Sequence, residues 1–337
     1  MDVSITIPCR NEKKYIGLCL DSVLASDFPG KTFEILVCDG KSDDGTAEIV
    51  QSYAKKFPGK VFYIENTKST TPFALNSGIR NSKGNVKIIL GAHAEIDKDY
   101  LRLCSELHEA DSQLGCVGGF LENVYEDDTS EAIATAMSSS FGVGNAHFRT
   151  GNKEGYVDTV AFGAYKSEVF EKIGFFDEEL VRNQDDEFNF RVLQSGYKIF
   201  LSKSIRSKYY VRASFQKLFR QYYQYGYWKV FVNRKHKAVT TVRQLVPPLF
   251  VAFLFLGAIS SVLIPFALWF YFAGFTLYIL ASLLSAASKA KSISSFFKIL
   301  FSYYILHFSY GVGYLHGIWM FLVLNKKPGV RQELLSR

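Results

Sequence analysis

The sequence predicts an N-terminal α/β domain, its mostly parallel sheet covered by helices on both faces, followed by C-terminal transmembrane helices. Three observations carry this expectation. Strand-like and helix-like apolar patterns alternate through residues 2–90, and such alternation builds a largely parallel sheet with helices on both faces. The segments that follow the first, second and fourth of these strands are polar in an unusual way. Residues 244–288 form 45 consecutive positions without Asp, Glu, Lys or Arg. As helix that run would extend roughly 65 Å, about twice a bilayer core, so it must turn back.

Residues 2–8 read as a strand, and Ile16, Cys19, Leu20, Val23 and Leu24 then share one face at helical spacing. The cycle repeats with strand 33–39, helix 46–56 carrying Ile49, Val50 and Tyr53 inward, strand 61–65, helix 72–81 and strand 86–90. In the uncharged run, Ser260, Ser261 and Pro265 offer the turn, giving helices over 246–263 and 266–287. A third apolar stretch, 299–324, carries His307, His316 and the small residues Gly311, Gly313 and Gly317, which permit close helix contact. Both histidines are expected to pack or bond between helices. Two dispositions of this stretch stay open, a crossing or a dip and return. Flanking charges favour the N-terminal domain and the 289–298 loop on one side, whereas a third crossing would leave Lys326, Lys327 and Arg331 on the other.

With 337 residues, 48% of them hydrophobic, the chain holds one sizeable domain plus an appendage. The boundaries expected are a catalytic domain at 1–238, ending in an aromatic and basic interfacial segment at about 215–238, and a membrane region at 245–325 with two or three helices. The net charge of +7 concentrates beside the apolar region, in Arg234, Lys235, Lys237, Arg243, Lys289, Lys291 and Lys298. That placement fits anionic lipid headgroups, and without a basic helix or nucleic-acid motif no nucleic-acid partner is expected. The cysteines Cys9, Cys19, Cys38, Cys104 and Cys116 are odd in number and lack CxxC spacing, so reduced thiols are expected. The N-terminus shows no basic start or long apolar core of a signal peptide, so the domain is expected to face the cytoplasm.

Ligands of open parallel sheets bind beyond the carboxyl ends of the strands, which directs attention to residues 8–14, 39–46 and 91–97. No GxGxxG follows the first strand; Pro8, Cys9, Arg10, Asn11 and Glu12 stand there, against a dinucleotide-dependent dehydrogenase. Residues 39–46 place Asp39, Asp43 and Asp44 in a turn that opens onto a helix. Taken singly, turn and cap preferences would explain them.

Taken together, Pro8, Asn11 and Glu12, then Asp39 with Ser42, Asp44, Gly45 and Thr46, resemble the donor-binding half of family 2 glycosyltransferases of the GT-A fold. The likeness continues through Asn76, Gly78, Gly84, Gly118, Gly119 and Gly163, the Gly174-Phe175-Phe176-Asp177-Glu178 run, Gln184-Asp185-Asp186-Glu187 and Arg191. It covers residues 2–229. Residues 160–165 and the C-terminal helices are similar to succinoglycan-type bacterial exopolysaccharide glycosyltransferases.

The resemblance implies a Rossmann-like GT-A sheet and inverting transfer of one sugar, from a UDP-sugar ahead of a GDP-sugar, to a membrane-held, lipid-linked glycan acceptor. It implies Asp185 as the base that takes the acceptor proton, with Glu187, Arg191, Asp186 and Gln184 in support, Gln184 departing from the family's Glu. An acidic helix start would otherwise explain Asp185, Asp186 and Glu187 through the dipole alone. The donor nucleotide would contact Pro8, Asn11, Glu12, Asp39, Asp44, Arg80 and Ala92. The family's metal-binding Asp-x-Asp is replaced by Gly91-Ala92-His93, so manganese or magnesium would rest on His93, with Glu95 as an extra ligand. Gly163 and Trp228 fall on the acceptor side. Gln224, Tyr227 and Trp228 match a processive Gln-x-x-Arg-Trp motif except for its arginine, which points to single-sugar addition. Transfer onto a bare polyprenyl phosphate, and a non-catalytic nucleotide-sugar-binding partner protein, are the alternatives.

Overall fold

In chain order the elements are β1 (Val3–Cys9), α1 (Ile16–Leu24), β2 (Phe33–Asp39), α2 (Thr46–Lys56), β3 (Val61–Glu65), α3 (Thr71–Asn81), β4 (Val86–Ile89), β5 (Ala94–Ile96), α4 (Tyr100–Ala110) and β6 (Leu114–Val124). There follow α5 (Asp128–Met137), α6 (Ser140–Val143), α7 (His147–Thr150), β7 (Gly155–Tyr156), β8 (Ala161–Lys166), α8 (Ser167–Ile173), α9 (Gln184–Gln194) and β9 (Lys198–Tyr210). The C-terminal part contains α10 (Phe215–His236), α11 (Val246–Leu263), α12 (Pro265–Ala287) and α13 (Ile293–Gly317), the last continuing as a wider turn over Ile318–Val323. The computed structural model describes residues 1–211 and 214–328.

The chain divides into two compact units, Met1–Glu122 with His147–Tyr210, and Asn123–Ala146 with the chain from Val211 onward. Compactness therefore cuts the chain elsewhere than composition does. The insert carrying α5 and α6, and the aromatic helix α10, go with the apolar helices.

The first unit is one mixed sheet in the order β3-β2-β1-β4-β8-β6-β9-β5, with β7 on β9. Strands β3, β2, β1 and β4 are parallel, and β8 joins β4 antiparallel. Central β1 is almost wholly buried because helices cover both its faces. Val3, Ile5 and Ile7 share a core with Ile16, Cys19, Leu20 and Val23 of α1, while Thr6 on the other face meets Gly78 of α3, where a Cβ would lie 2.3 Å from Thr6 Cγ2. All five cysteines are free and buried.

In the second unit, α11 and α12 break at Ile264, and the helices with their lead-in, Val242–Leu263 and Pro265–Ala287, are each long and apolar enough to cross a membrane. The small residues of α13 do what their size permits. A Cβ on Gly313 would lie 2.0 Å from the Tyr223 carbonyl oxygen, and one on Gly226 2.1 Å from that of Tyr310, so α10 and α13 touch backbone to backbone. His307 bonds to the Tyr278 hydroxyl (2.9 Å) and the Phe141 carbonyl (2.8 Å), tying α13 to α12 and to the insert.

Candidate active site

Two strand-end loops form one polar frame. The chain leaves β1 through Asn11 with φ 54°, a left-handed conformation that Asn tolerates better than most residues. Its amide donates to Ser42 Oγ (2.9 Å), its side-chain amide donates to Asp43 (2.9 Å), and its side-chain carbonyl accepts from the Asp43 amide (3.0 Å). The Glu12 amide donates to Thr46 Oγ1 (2.9 Å) and the Lys13 amide to Asp44 (3.1 Å). Asp44 also accepts from the Thr46 amide (3.0 Å) and hydroxyl (2.5 Å). Burial disfavours the Asp44 charge, but these donors outweigh it and hold the carboxyl below its ordinary value. Asp39 is buried, accepting from Ser42 Oγ (2.5 Å) and the Tyr63 hydroxyl (3.3 Å). Asn11, Asp39 and Asp44 thus shape the loops with the same groups that were expected to meet a nucleotide.

At the end of β4 the missing aspartate has a physical counterpart. A Cβ on Gly91 would lie 3.1 Å from Phe162 Cε1, so an aromatic ring stands where a longer side chain would point. Phe162 has φ 48°, a genuine outlier for a bulky residue and the kind of strain that clusters at functional sites. The buried Tyr100 hydroxyl donates to the Phe162 carbonyl (2.6 Å) and holds it there. Nothing in the apolar pattern of residues 160–165 signalled this backbone; only contacts across the sheet reveal it.

His93 lies beside the polar frame, its Nδ1 3.2 Å from Glu12 Oε1 and its ring edge-on to Tyr209 at 4.9 Å. A carboxylate on one ring nitrogen leaves Nε2 to act as a ligand, a recurrent way of orienting a metal-binding imidazole. Glu95 is bonded to the Tyr210 hydroxyl instead. Among the described residues no three His, Cys, Asp or Glu side chains gather as a metal cage. His93, beside the Glu12 carboxylate, is thus the one imidazole this strand end offers.

Helix α9 begins after Asn183, also left-handed at φ 61°, and carries Asp185 exposed in its first turn. Glu187 is 3% exposed and takes a fork from Arg191, at 2.7 Å and 2.9 Å. Arg191 also donates to the carbonyls of Ile173 and Phe175, both at 2.7 Å. Asn189 bonds Thr159 (2.9 Å) and the Tyr165 hydroxyl (2.8 Å), which couples α9 to the strand that bears Phe162. Asp185 is thereby carried on a helix fastened by four bonds from two of its residues, Arg191 and Asn189.

Three of the expected site residues are held by other side chains or by packing. Arg80 lies on the ring of Phe175 and 3.7 Å from Glu178. Gly163 is buried inside β8, where a Cβ would lie 2.8 Å from Cys116 Sγ; close packing explains it, and it offers no surface to an acceptor. Trp228 is 1% exposed, edge-on to Tyr227 and Phe231. Arg10, which the strand-end reading passed over, lies across Gly40 with a buried Nε lacking a bond. Its place in the first loop was the available signal.

Sheet order and strand-end loops together define a GT-A-type nucleotide-sugar transferase scaffold. Residues 4–174 match glycosyl transferase family 2, and the chain belongs to that family. It is similar to dolichyl N-acetyl-alpha-D-glucosaminyl phosphate 3-beta-D-2,3-diacetamido-2,3-dideoxy-beta-D-glucuronosyltransferase of Methanococcus voltae, 33% identical over 241 residues covering 69% of this chain and 74% of that protein. It is also similar to succinoglycan biosynthesis protein ExoA of Rhizobium meliloti, 29% identical over 274 residues, 79% of this chain and 81% of that one. Among solved structures, mannosyltransferase PcManGT of Pyrobaculum calidifontis with GDP-Man and Mn2+ shares the fold at TM-score 0.58 and 19% identity, over 94% of this chain and 87% of that one. The crystal structure of S. aureus TarS 1-349 with UDP-GlcNAc does so at TM-score 0.52 and 17% identity, over 66% of each chain. Family and fold are those the motifs anticipated.

Proposed function

We propose that this glycosyltransferase is membrane-attached, with its catalytic unit facing the cytoplasm, and adds one sugar, with inversion, from a UDP- or GDP-sugar to a lipid-linked glycan. The observation that carries the reading is an exposed carboxylate, Asp185, on a helix tied to the Ile173 and Phe175 carbonyls through Arg191. Such a group takes the proton of an acceptor hydroxyl as it attacks the anomeric carbon opposite the leaving nucleotide. Asp186, next on the same turn, is the fallback base, and Gln184 stands at the helix start. The donor's nucleotide lies along Pro8, Glu12, Ala92 and the frame built by Asn11, Asp39 and Asp44, with Arg10 supplying a cation nearby. His93, oriented by Glu12, would hold a divalent ion, which when bound offsets charge on the departing diphosphate. A lipid-linked saccharide acceptor is supported by the name of the Methanococcus voltae relative and by the two long apolar helices.

The test is nucleotide release by full-length protein across UDP- and GDP-sugars, with lipid extract as acceptor, in manganese or chelator. Asp185→Asn should lower turnover by about 10²–10⁴-fold with the fold unchanged, since the side chain is exposed. Turnover that survives in Asp185→Asn would move the base elsewhere. Loss in chelator, restored by manganese and weakened by His93→Ala, would support the ion site.

A further inference from the structure

Helices α11, α12 and α13 are all apolar, yet they meet their surroundings differently. In the α11–α12 hairpin only Pro248, Val251, Ser282 and Ala286 are buried. Beyond those anchors the two helices touch each other, Gly257 against Tyr271 and Gly274 against Phe253. Helix α13 instead buries one face along its whole length. Its opposite face leaves Phe297 61%, Phe301 51%, Phe308 39% and, in the continuing turn, Trp319 55% exposed, an apolar stripe at helical spacing.

What lies under α13 decides its placement. Helix α10 runs parallel to it from end to end. Gly313 meets Tyr223, Gly317 approaches Tyr227, Arg234 donates to the Phe321 carbonyl (2.7 Å), and Phe215 reaches the edge of the stripe at Phe301. Helix α5 supports its beginning, with Glu131 bonded to Lys291 (2.7 Å) and Asp128 3.7 Å from Lys298. If α13 crossed a bilayer, α10 would have to cross beside it. Helix α10 carries Lys217, Arg220, Lys229, Arg234 and Lys235, and its longest uncharged run is 221–228, about 12 Å of helix against about 30 Å of hydrocarbon.

We infer that only the α11–α12 hairpin crosses the membrane, and that α13 lies in the headgroup plane with Phe297, Phe301, Phe308 and Trp319 against the acyl boundary of an anionic bilayer. A helix with one face toward lipid and the other packed on charge-bearing helices takes that position. The stripe begins at Phe297, past the short basic loop that follows the crossing hairpin. The placement returns Lys326 and Lys327 to the side of Lys289, Lys291 and Lys298, where basic residues gather beside anionic lipid. It closes the choice left open by the sequence, with Arg331 outside the described residues. The inference rests on the membrane-attached reading.

The experiment uses the full chain in vesicles of phosphatidylcholine and phosphatidylglycerol, with single nitroxide-labelled cysteines at Phe297, Phe301, Phe308 and Trp319. These positions are exposed, and the native cysteines are buried. Collision with oxygen and with a water-soluble nickel chelate should give all four one shallow depth. A crossing helix would spread them by about 33 Å over 22 residues at 1.5 Å each, and that spread overturns the inference. So does free access of the chelate to all four, which would mean that something other than lipid covers the stripe. In sided vesicles, an impermeant maleimide should label Ser288→Cys and Lys326→Cys from one side and Val262→Cys from the other; Lys326→Cys labelling with Val262→Cys overturns it as well. Release of the protein by alkaline carbonate would instead remove the membrane attachment itself.

Discussion

Two polar networks support the site, and they are built on opposite principles. The frame of residues 11–13 and 42–46 is partly exposed and redundant, at least seven bonds of side chain to backbone or side chain. The clamp under α9 is concentrated in one guanidinium, Arg191, with a buried carboxylate and two carbonyls as partners. Solvent can replace a lost bond in the frame. It cannot reach Glu187, so the clamp fails as a whole.

Arg191→Ala sets the upper end of that contrast. It leaves the Glu187 charge buried without its partner and is expected to destabilise the first unit by about 3–5 kcal/mol, read as a fall in the denaturation midpoint. Glu187→Gln with Arg191→Met should recover much of the loss by removing both charges. Asp44→Ala is expected to cost about 1–3 kcal/mol and to raise the donor KM more than it lowers kcat, because the loop loosens without touching Asp185. An Asp44→Ala effect as large as that of Arg191→Ala would break the distinction between the two networks.

Gly91→Asp sharpens it further, since here the space for a side chain is taken by the ring of Phe162. The new side chain meets Phe162, and overpacking of this kind costs about 1–3 kcal/mol. The double variant Gly91→Asp with Phe162→Ala should show coupling of opposite sign in a double-mutant cycle of thermal stability.

The smallest effect is set by pH. His108 is buried, its Nε2 2.9 Å from the Ala164 carbonyl, and burial pushes its pKa down from 6.5 to about 4. The native state keeps His108 neutral where the unfolded chain takes up a proton. Its contribution is therefore complete above pH 6.5 and declines as pH falls toward 4, with about 1 kcal/mol lost at pH 5.5. His108→Gln should flatten the thermal midpoint across that window and leave it unchanged above it. A variant as pH-sensitive as the parent would assign the acid lability to another group.

Period and spacing were enough for β1 through β4, for helices α1 to α3, and for the break between α11 and α12. Each rests on local forces: alternation along a strand, one apolar face per helix, and a proline that starts a helix after a turn. The motif residues were legible for the same reason, since strand-end loops keep their order along the chain. Tertiary structure alone decided which of them face open space. Gly163 and Trp228 disappear into packing, Arg80 turns to Glu178, and Phe162 moves over Gly91, because burial depends on neighbours distant in sequence. The apolar runs of α11 and α13 look alike when read one residue at a time. In the placement proposed above, only the charged helices packed under α13 separate a helix that passes through lipid from one that lies upon it.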